Sequence, residues 1–439
     1  MADSLRIGIA GLGTVGSSLV RIIQQRSNEL AITCGRAIEI IAVSARDRSR
    51  DRGIDLTGIT WFDTPEQMAA EAEIDVFVEL VGGASGPAKA AVRTALARGL
   101  HVVTANKALL AKHGVELATT AEEKGVLLNF EAAVAGGIPV IKALRESLTG
   151  NHVTRIYGIM NGTCNYILTK MEKEGLSFET CLKEAQRLGY AEADPAFDIE
   201  GNDTAHKLAI LTTLAFGNKI AADDIYLEGI TNISIEDIHA AADLGYRIKL
   251  LGVAQMTESG IEQRVHPTMV PLDSVIAQVD GVTNAVAIES DILGELLMVG
   301  PGAGGNATAS AVLGDIADIA KSRPGIQQVP VLGRPAKSLE KYRRAKMKKH
   351  EGGYFIRLTV ADRAGVFASI ATSMAENGIS LESIVQRSRA QTPDAPQTIV
   401  LVTHATMEDA VRKAVAAIKS QAYLTDEPQV IRIERTKAA

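Results

Sequence analysis

The chain has 439 residues, too many for one hydrophobic core, so two or three domains are expected. Its composition, 46% hydrophobic and 22% charged, is that of a soluble globular protein, and a net charge of −6 argues against a general nucleic-acid binder. No apolar run has the length of a membrane span, the opening MADSLRIGIAG reads as a first strand and not a signal peptide, and three cysteines (Cys34, Cys164, Cys181) without metal-type spacing fit a reducing cytoplasm.

Residues 1–135 alternate strands with helices. The apolar run Leu5–Ala10 leads into Gly11-Leu-Gly13-Thr-Val-Gly16 and then a helix. In that context the first glycine makes a tight turn, the second lets backbone approach a pyrophosphate, and the third lets helix pack on strand, with the helix N-terminus facing the phosphates. The next strand, Glu39–Val43, lies further on than usual, which implies a longer first helix or an inserted loop. It ends at Ser44-Ala45-Arg46, and the one nearby acid, Asp47, is flanked by Arg46 and Arg48. Arginines there suit a 2′-phosphate, so NADP(H) is preferred over NAD(H). Further strands at 75–81, 101–104 and 126–131 give a parallel sheet whose ligands sit at the carboxyl ends, where Ser85, Lys107 and Glu131 fall.

Residues 136–332 read as a second, mixed-sheet domain. Gly136-Gly-Ile-Pro139 starts a helix, and a strand at 155–160 leads into Asn161-Gly-Thr-Cys-Asn-Tyr-Ile-Leu168. Further strands are expected at Gly229–Ile233, Ile248–Ala254, Glu262–Pro267 and Ala285–Glu289. Gly300–Asn306 opens a last helix, which would complete the first domain over 306–325. Between these runs lies Gly189–Leu208, GYAEADPAFDIEGNDTAHKL, with five carboxylates (Glu192, Asp194, Asp198, Glu200, Asp203) and then Lys207. A helix is expected over Asn202–Phe216, and its Asp203 and Lys207 share one face. Taken alone, the stretch is either a solvated acidic turn or a pocket in which carboxylates hold an ammonium and one basic group takes a proton.

Residues 333–353 are rich in Lys and Arg and read as a solvated, partly helical linker. Residues 354–439 follow the order βαββαβ, a ferredoxin-like sandwich.

With the fingerprint, TANK at 104–107, EAAVAGGIP at 131–139, NGTCNYIL at 161–168 and the acidic stretch, residues 1 to about 330 closely resemble homoserine dehydrogenase. The DRAGV turn and NGIS step of the last block resemble an ACT domain. The resemblance implies an α/β Rossmann-type domain, an α+β mixed-sheet domain for substrate and dimerisation, and an ACT regulatory domain. The expected reaction is the NAD(P)-dependent interconversion of L-homoserine and L-aspartate 4-semialdehyde, in threonine, methionine and isoleucine biosynthesis. Lys207 matches the proton donor/acceptor and Asp203 the acid one turn before it. Glu192, Asp198, Asp203 and Lys107 match the substrate pocket. Gly11, Gly13, Thr14, Val15, Gly16, Arg46, Lys107, Gly189 and Gly304 match cofactor positions, and Glu131 with the carbonyls of Val134, Gly136 and Ile138 matches a site for sodium or another monovalent cation. Threonine is the expected effector, near Gly365 and Asn377, and a homodimer through the middle sheet, or a homotetramer, is the expected assembly. One tension stands: a free lysine titrates near 10.4 and neighbouring acids raise it, so Lys207 serves more easily as acid than as base.

Overall fold

The structure is a computed structural model that describes residues 4–322, 329–345, 351–386 and 396–434. The first sheet is parallel, in the order β3 (Thr60–Phe62), β2 (Ile38–Ser44), β1 (Leu5–Ala10), β4 (Val76–Glu79), β5 (His101–Thr104), β6 (Leu128–Asn129). Helices cover both faces, and its central residues Ile7, Ile9, Phe77, Val78, Val102 and Val103 are fully buried. The long gap after the fingerprint is a second helix: Thr14–Gln25 is followed, past Arg26, by Ser27–Cys34. The helix Gly305–Lys321 packs on the fingerprint helix, and residues 323–325, expected to continue it, lie outside the described residues.

The second sheet is built from β7 (Val153–Ile159), β8 (Tyr226–Leu227), β9 (Tyr246–Thr257), β10 (Gly260–Pro271), β11 (Thr283–Ser290) and β12 (Gly294–Pro301), with β12-β11-β7-β9-β10 antiparallel neighbours. Residues 229–233 do not form the expected strand. Ile230 N donates to Ile199 O at 2.9 Å, and Gly229 presses so close that a Cβ there would lie 2.3 Å from the same oxygen. That close approach holds the segment against the acidic stretch, and the short strand β8 forms just before it.

The C-terminal block contains β13 (Glu351–Ala361), β14 (Leu381–Gln386), β15 (Pro396–Thr403), β16 (Thr406–Met407) and β17 (Gln429–Ile433), with helices Val366–Glu376 and Glu408–Lys419 on one face. It is fused to the second sheet: β17 pairs with β10 in parallel, Thr268 beside Arg432 and Met269 beside Ile433. Ion pairs reinforce the seam. Across it, Arg432 lies 3.5 Å from Glu228 and Arg357 Nε donates to Asp237 Oδ1 at 2.6 Å, while Glu408 of the same block, 2.9 Å from Arg432, holds that guanidinium in place. Gly365 and Asn377, expected together at an effector, sit at opposite ends of Val366–Glu376. At 1.5 Å per residue that is roughly 18 Å, too far for one threonine to touch both in one chain.

The linker is not solvated as expected. Ala336, Leu339, Tyr342 and Ala345 recur every third residue and turn inward, while Lys337, Lys341, Arg343 and Arg344 stay exposed. Ala336 N donates to Glu122 Oε2 at 2.8 Å, and the segment bridges to Asn218 and Ile261. Residues 346–350 lie outside the described residues, and β13 has begun by Glu351.

Arg357→Met leaves Asp237, which is fully buried, with its Ser234 bonds alone. Urea unfolding is expected to show a loss of about 3–5 kcal/mol, the cost of breaking a buried ion pair from one side.

Candidate active site

Four elements bring the chemistry together: the end of β7, the turns of 189–201, the start of Asn202–Phe216 and the start of the helix Lys107–Lys124. Helix Asn202–Phe216 buries Leu208, Ile210, Leu211 and Leu214, so its first turn is fixed under β7. Lys207 Nζ donates to Met160 O at 2.6 Å and to Asp203 Oδ2 at 2.8 Å. An ammonium has three N–H groups, and among the described residues one is left over. Asp203 Oδ1 lies 3.1 Å from Lys107 Nζ, so one carboxylate joins two lysines. Asn161 Nδ2 donates to Asp203 Oδ2 at 2.9 Å and to Asp198 Oδ1 at 2.8 Å, and Thr163 Oγ1 donates to Asp198 Oδ2 at 3.3 Å.

Burial acts to raise the Asp203 carboxyl, but Lys207 and Lys107 outweigh it and hold it well below the usual carboxylate range. Asp198 is pushed up, by burial first and by Asp203 second. Lys207 is the more buried of the two lysines that Asp203 joins, its side chain 12% exposed against 33% for Lys107. Glu192 is exposed, and among the described residues no side-chain hydrogen bond or ion pair ties it to this group; its carbonyl accepts from Gln186 Nε2 at 3.0 Å. Cys164 is buried, with Sγ 3.2 Å from Asp198 O, and burial pushes its thiol far up, as befits packing.

The fingerprint has the shape its glycines require. Gly11 is left-handed at φ 99°, and a Cβ there would lie 2.5 Å from Leu80 O; one on Gly16 would lie 2.0 Å from Gly11 O. Gly13 has nothing within 4 Å of such an atom, and Gly13 and Thr14 are exposed, which leaves backbone free for a ligand. Val15 is half-buried one step on. The second glycine-rich turn closes on this one, since a Cβ on Gly305, next to Gly304, would meet Ser18 Oγ at 2.7 Å. Gly189 ends the preceding helix at φ 77°, and Arg46 is exposed past β2. Gly16→Ala should lose cofactor binding together with thermal stability. Gly13→Ala should melt like wild type yet raise the cofactor KM about tenfold, because its methyl intrudes only on space left for the ligand.

Glu131 is buried beside this region. Its Oε1 and Oε2 accept from Ile141 N at 2.8 Å and Lys142 N at 2.9 Å. Burial still raises the carboxyl, with those two N–H groups opposing. Ala135 and Gly136 are both left-handed, at φ 55° and 51°. Among the described residues the carbonyls of Val134 and Gly136 accept no N–H, while that of Ile138 accepts from Val140 N at 2.8 Å. A carboxylate and backbone carbonyls that accept no N–H among the described residues are hard oxygen donors, the chemistry a monovalent cation takes. Asp315 adjoins it: its Oδ2 accepts from Glu131 N at 2.8 Å, and burial pushes its carboxyl up to about 7 against the pull of Lys142.

Three contributors were not singled out from the sequence: Met160 O, Asn161 and Glu79. Asn161 caps its helix through Cys164 N, and an asparagine ahead of an apolar helix is a readable cap. Glu79 is fully buried, accepts from Val81 N and Gly82 N, and takes the Thr104 hydroxyl at 2.5 Å. Thr104 in turn accepts from Asn106 N, and Asn106 caps the helix that Lys107 begins. This chain of bonds aims Lys107.

Known proteins show the same plan. Family models described as homoserine dehydrogenase, NAD binding domain, as homoserine dehydrogenase, and as ACT domain match residues 11–131, 139–317 and 354–422. A homoserine dehydrogenase of Pseudomonas aeruginosa is 44% identical over 435 residues, 98% of this chain and 99% of that one. The crystal structure of one from Thiobacillus denitrificans superposes with a TM-score of 0.92 at 42% identity, covering 98% of each chain. A hyperthermophilic archaeal homoserine dehydrogenase in complex with NADPH matches with a TM-score of 0.62 at 28% identity, over 74% of this chain and 100% of that one. The chain belongs to the homoserine dehydrogenase family, NAD(P)-dependent oxidoreductases that act on a CH–OH group.

Proposed function

We propose that Lys207 is the acid/base of a reversible interconversion of L-homoserine and L-aspartate 4-semialdehyde, with NADP(H) as the preferred cofactor. The observation that carries this reading is the Lys207 ammonium, held by Met160 O and Asp203 with one N–H uncommitted. When bound, the nicotinamide supplies or accepts the hydride at the γ-carbon. In reduction, Lys207 polarises the aldehyde oxygen and then gives it a proton. In oxidation it takes the hydroxyl proton back. Asp203 and Asn161 orient Lys207. Asp198 and Glu192 face the substrate ammonium, and Lys107 serves the substrate carboxylate and the cofactor side. Lys207 rests against the Asp203 carboxylate with an N–H free to point at the substrate, an arrangement that suits giving a proton to the aldehyde oxygen, so reduction is the direction this geometry serves first.

Arg46 and Arg48 support the 2′-phosphate of NADP(H), with NAD(H) as the weaker alternative, and NADPH is what the related archaeal enzyme carries. Glu131 and the carbonyls of Val134, Gly136 and Ile138 would hold a sodium ion, whose positive charge offsets the buried carboxylate and fixes the loop. Threonine would act through the ACT domain at the Gly365 end, the enzyme would be a homodimer or homotetramer, and the reaction belongs in the cytoplasm, in threonine, methionine and isoleucine biosynthesis. The test is oxidation of NADPH by aspartate 4-semialdehyde, repeated with NADH and with threonine. Turnover with NADPH that threonine depresses is expected; no turnover with either cofactor would refute the reading.

A further inference from the structure

The loop after β2 is internally bonded in a way that bears on which cofactor it reads. Asp47 is the acid nearest the end of β2, where a carboxylate would accept the ribose 2′-hydroxyl of NAD. Its Oδ1 instead accepts from Ser49 N at 2.9 Å and from Ser49 Oγ at 2.7 Å. Arg52 crosses from the far end of the loop. Its Nε donates to Leu12 O of the fingerprint at 3.2 Å, its Nη1 to Arg50 O at 2.7 Å, and its Nη2 to Asp47 O. One guanidinium thus ties the glycine turn to two carbonyls of the loop. Arg52 and Arg48 lie 5.8 and 5.9 Å from the ring centre of Trp61, the one tryptophan of the chain. Arg46, Arg48 and Arg50 are exposed on the same loop.

We propose that Arg52 is a positioning residue that fixes this loop in a shape that reads a 2′-phosphate: Arg46 and Arg48 are presented to the phosphate, while Ser49 keeps the Asp47 carboxylate turned into its own loop. The inference rests on the NADP(H) reading above and extends it to residues that need not touch the phosphate. Three carbonyls around one planar fork set its orientation, which a lysine with a single ammonium cannot reproduce. Releasing Asp47 would return a carboxylate to the place where a ribose hydroxyl, and not a phosphate, is welcome.

The test compares wild type, Arg52→Met, Arg52→Lys and Ser49→Ala in kcat and KM for NADPH and NADH, and in inhibition by 2′,5′-ADP against 5′-AMP. Wild type should bind 2′,5′-ADP more tightly than 5′-AMP. Both Arg52 variants should raise the NADPH KM about tenfold and lose that preference, with kcat at saturating cofactor and the NADH KM little moved. Ser49→Ala should lower the NADH KM. A wild type without preference for 2′,5′-ADP would overturn the cofactor reading and this inference with it. A preferring wild type whose Arg52→Met keeps both the preference and the NADPH KM would overturn the inference alone, as would an equal rise in both cofactor KM values.

Discussion

Replacing Lys207 with alanine lowers kcat in both directions by about 10²–10⁴-fold, the usual share of a positioned acid/base, while the KM for NADPH stays near the wild-type value. The expectation follows from where the ammonium sits. Lys207 Nζ is bonded on one side by Met160 O and on another by Asp203, and among the described residues no bond links it to the fingerprint, so its loss removes a proton donor and not a cofactor contact. Lys107 does not replace it, since Lys107 reaches the other oxygen of Asp203 and begins a different helix. The variant loses stability, because Asp203 keeps only Lys107 and Asn161 as partners, but the apolar residues of Asn202–Phe216 that anchor the helix are untouched and it stays folded. Steady-state assays with aspartate 4-semialdehyde check it; a variant with undiminished turnover would remove Lys207 from the chemistry.

Asp203→Asn is the second large effect, and it divides between stability and rate. Asp203 is 5% exposed and joins two lysines. Removing one charge from a buried pair typically costs about 3–5 kcal/mol. The lower end is expected here, because Lys107 is a third exposed and regains water. Turnover should fall about a hundredfold, since Lys207 loses its guide. The pH dependence carries a sign. The folded-state carboxyl lies below the unfolded one, so its contribution is full above the usual carboxylate range and is lost as pH falls through the folded value. Thermal melts should therefore separate wild type from Asp203→Asn widely at pH 7 and less in acid below about pH 4. A gap that widens in acid would contradict the burial of an ionised Asp203.

Much of this was legible in the residues, and the rest was not for a definite reason. The helix Asn202–Phe216 has the bounds its apolar spacing predicts, and its i,i+4 pair is formed. Whether that pair is solvated or buried cannot be read locally. What buries it is the end of β7, some 45 positions earlier, and the helix starting at Lys107, and both arrive through tertiary packing. The strand expected at 229–233 has suitable residues, but Gly229 is committed to a close approach to Ile199 O, a demand set by the fold and not by propensity. The seam between β10 and β17 rests on two residue pairs separated by more than 160 positions, and nothing in either strand announces it. Residues 336–345 look like a charged linker by composition, yet their three-residue apolar repeat is a packing signal. Asn106 and Asn161 stand ahead of their helices where a cap is readable, though neither was singled out as one, and their second bonds, to Gly83 O and to two carboxylates, depend on neighbours far along the chain.

The measurement that bears most directly on the role of Lys207 is the pH–rate profile of homoserine oxidation by wild type and by Lys207→Ala, the latter at raised enzyme concentration. If Lys207 must discharge its proton before it can take one from the substrate, the wild-type rate climbs steadily into alkaline conditions, the reductive rate does not, and the alkaline climb disappears in the variant. An alkaline climb of the same steepness in Lys207→Ala would show that another group takes the proton.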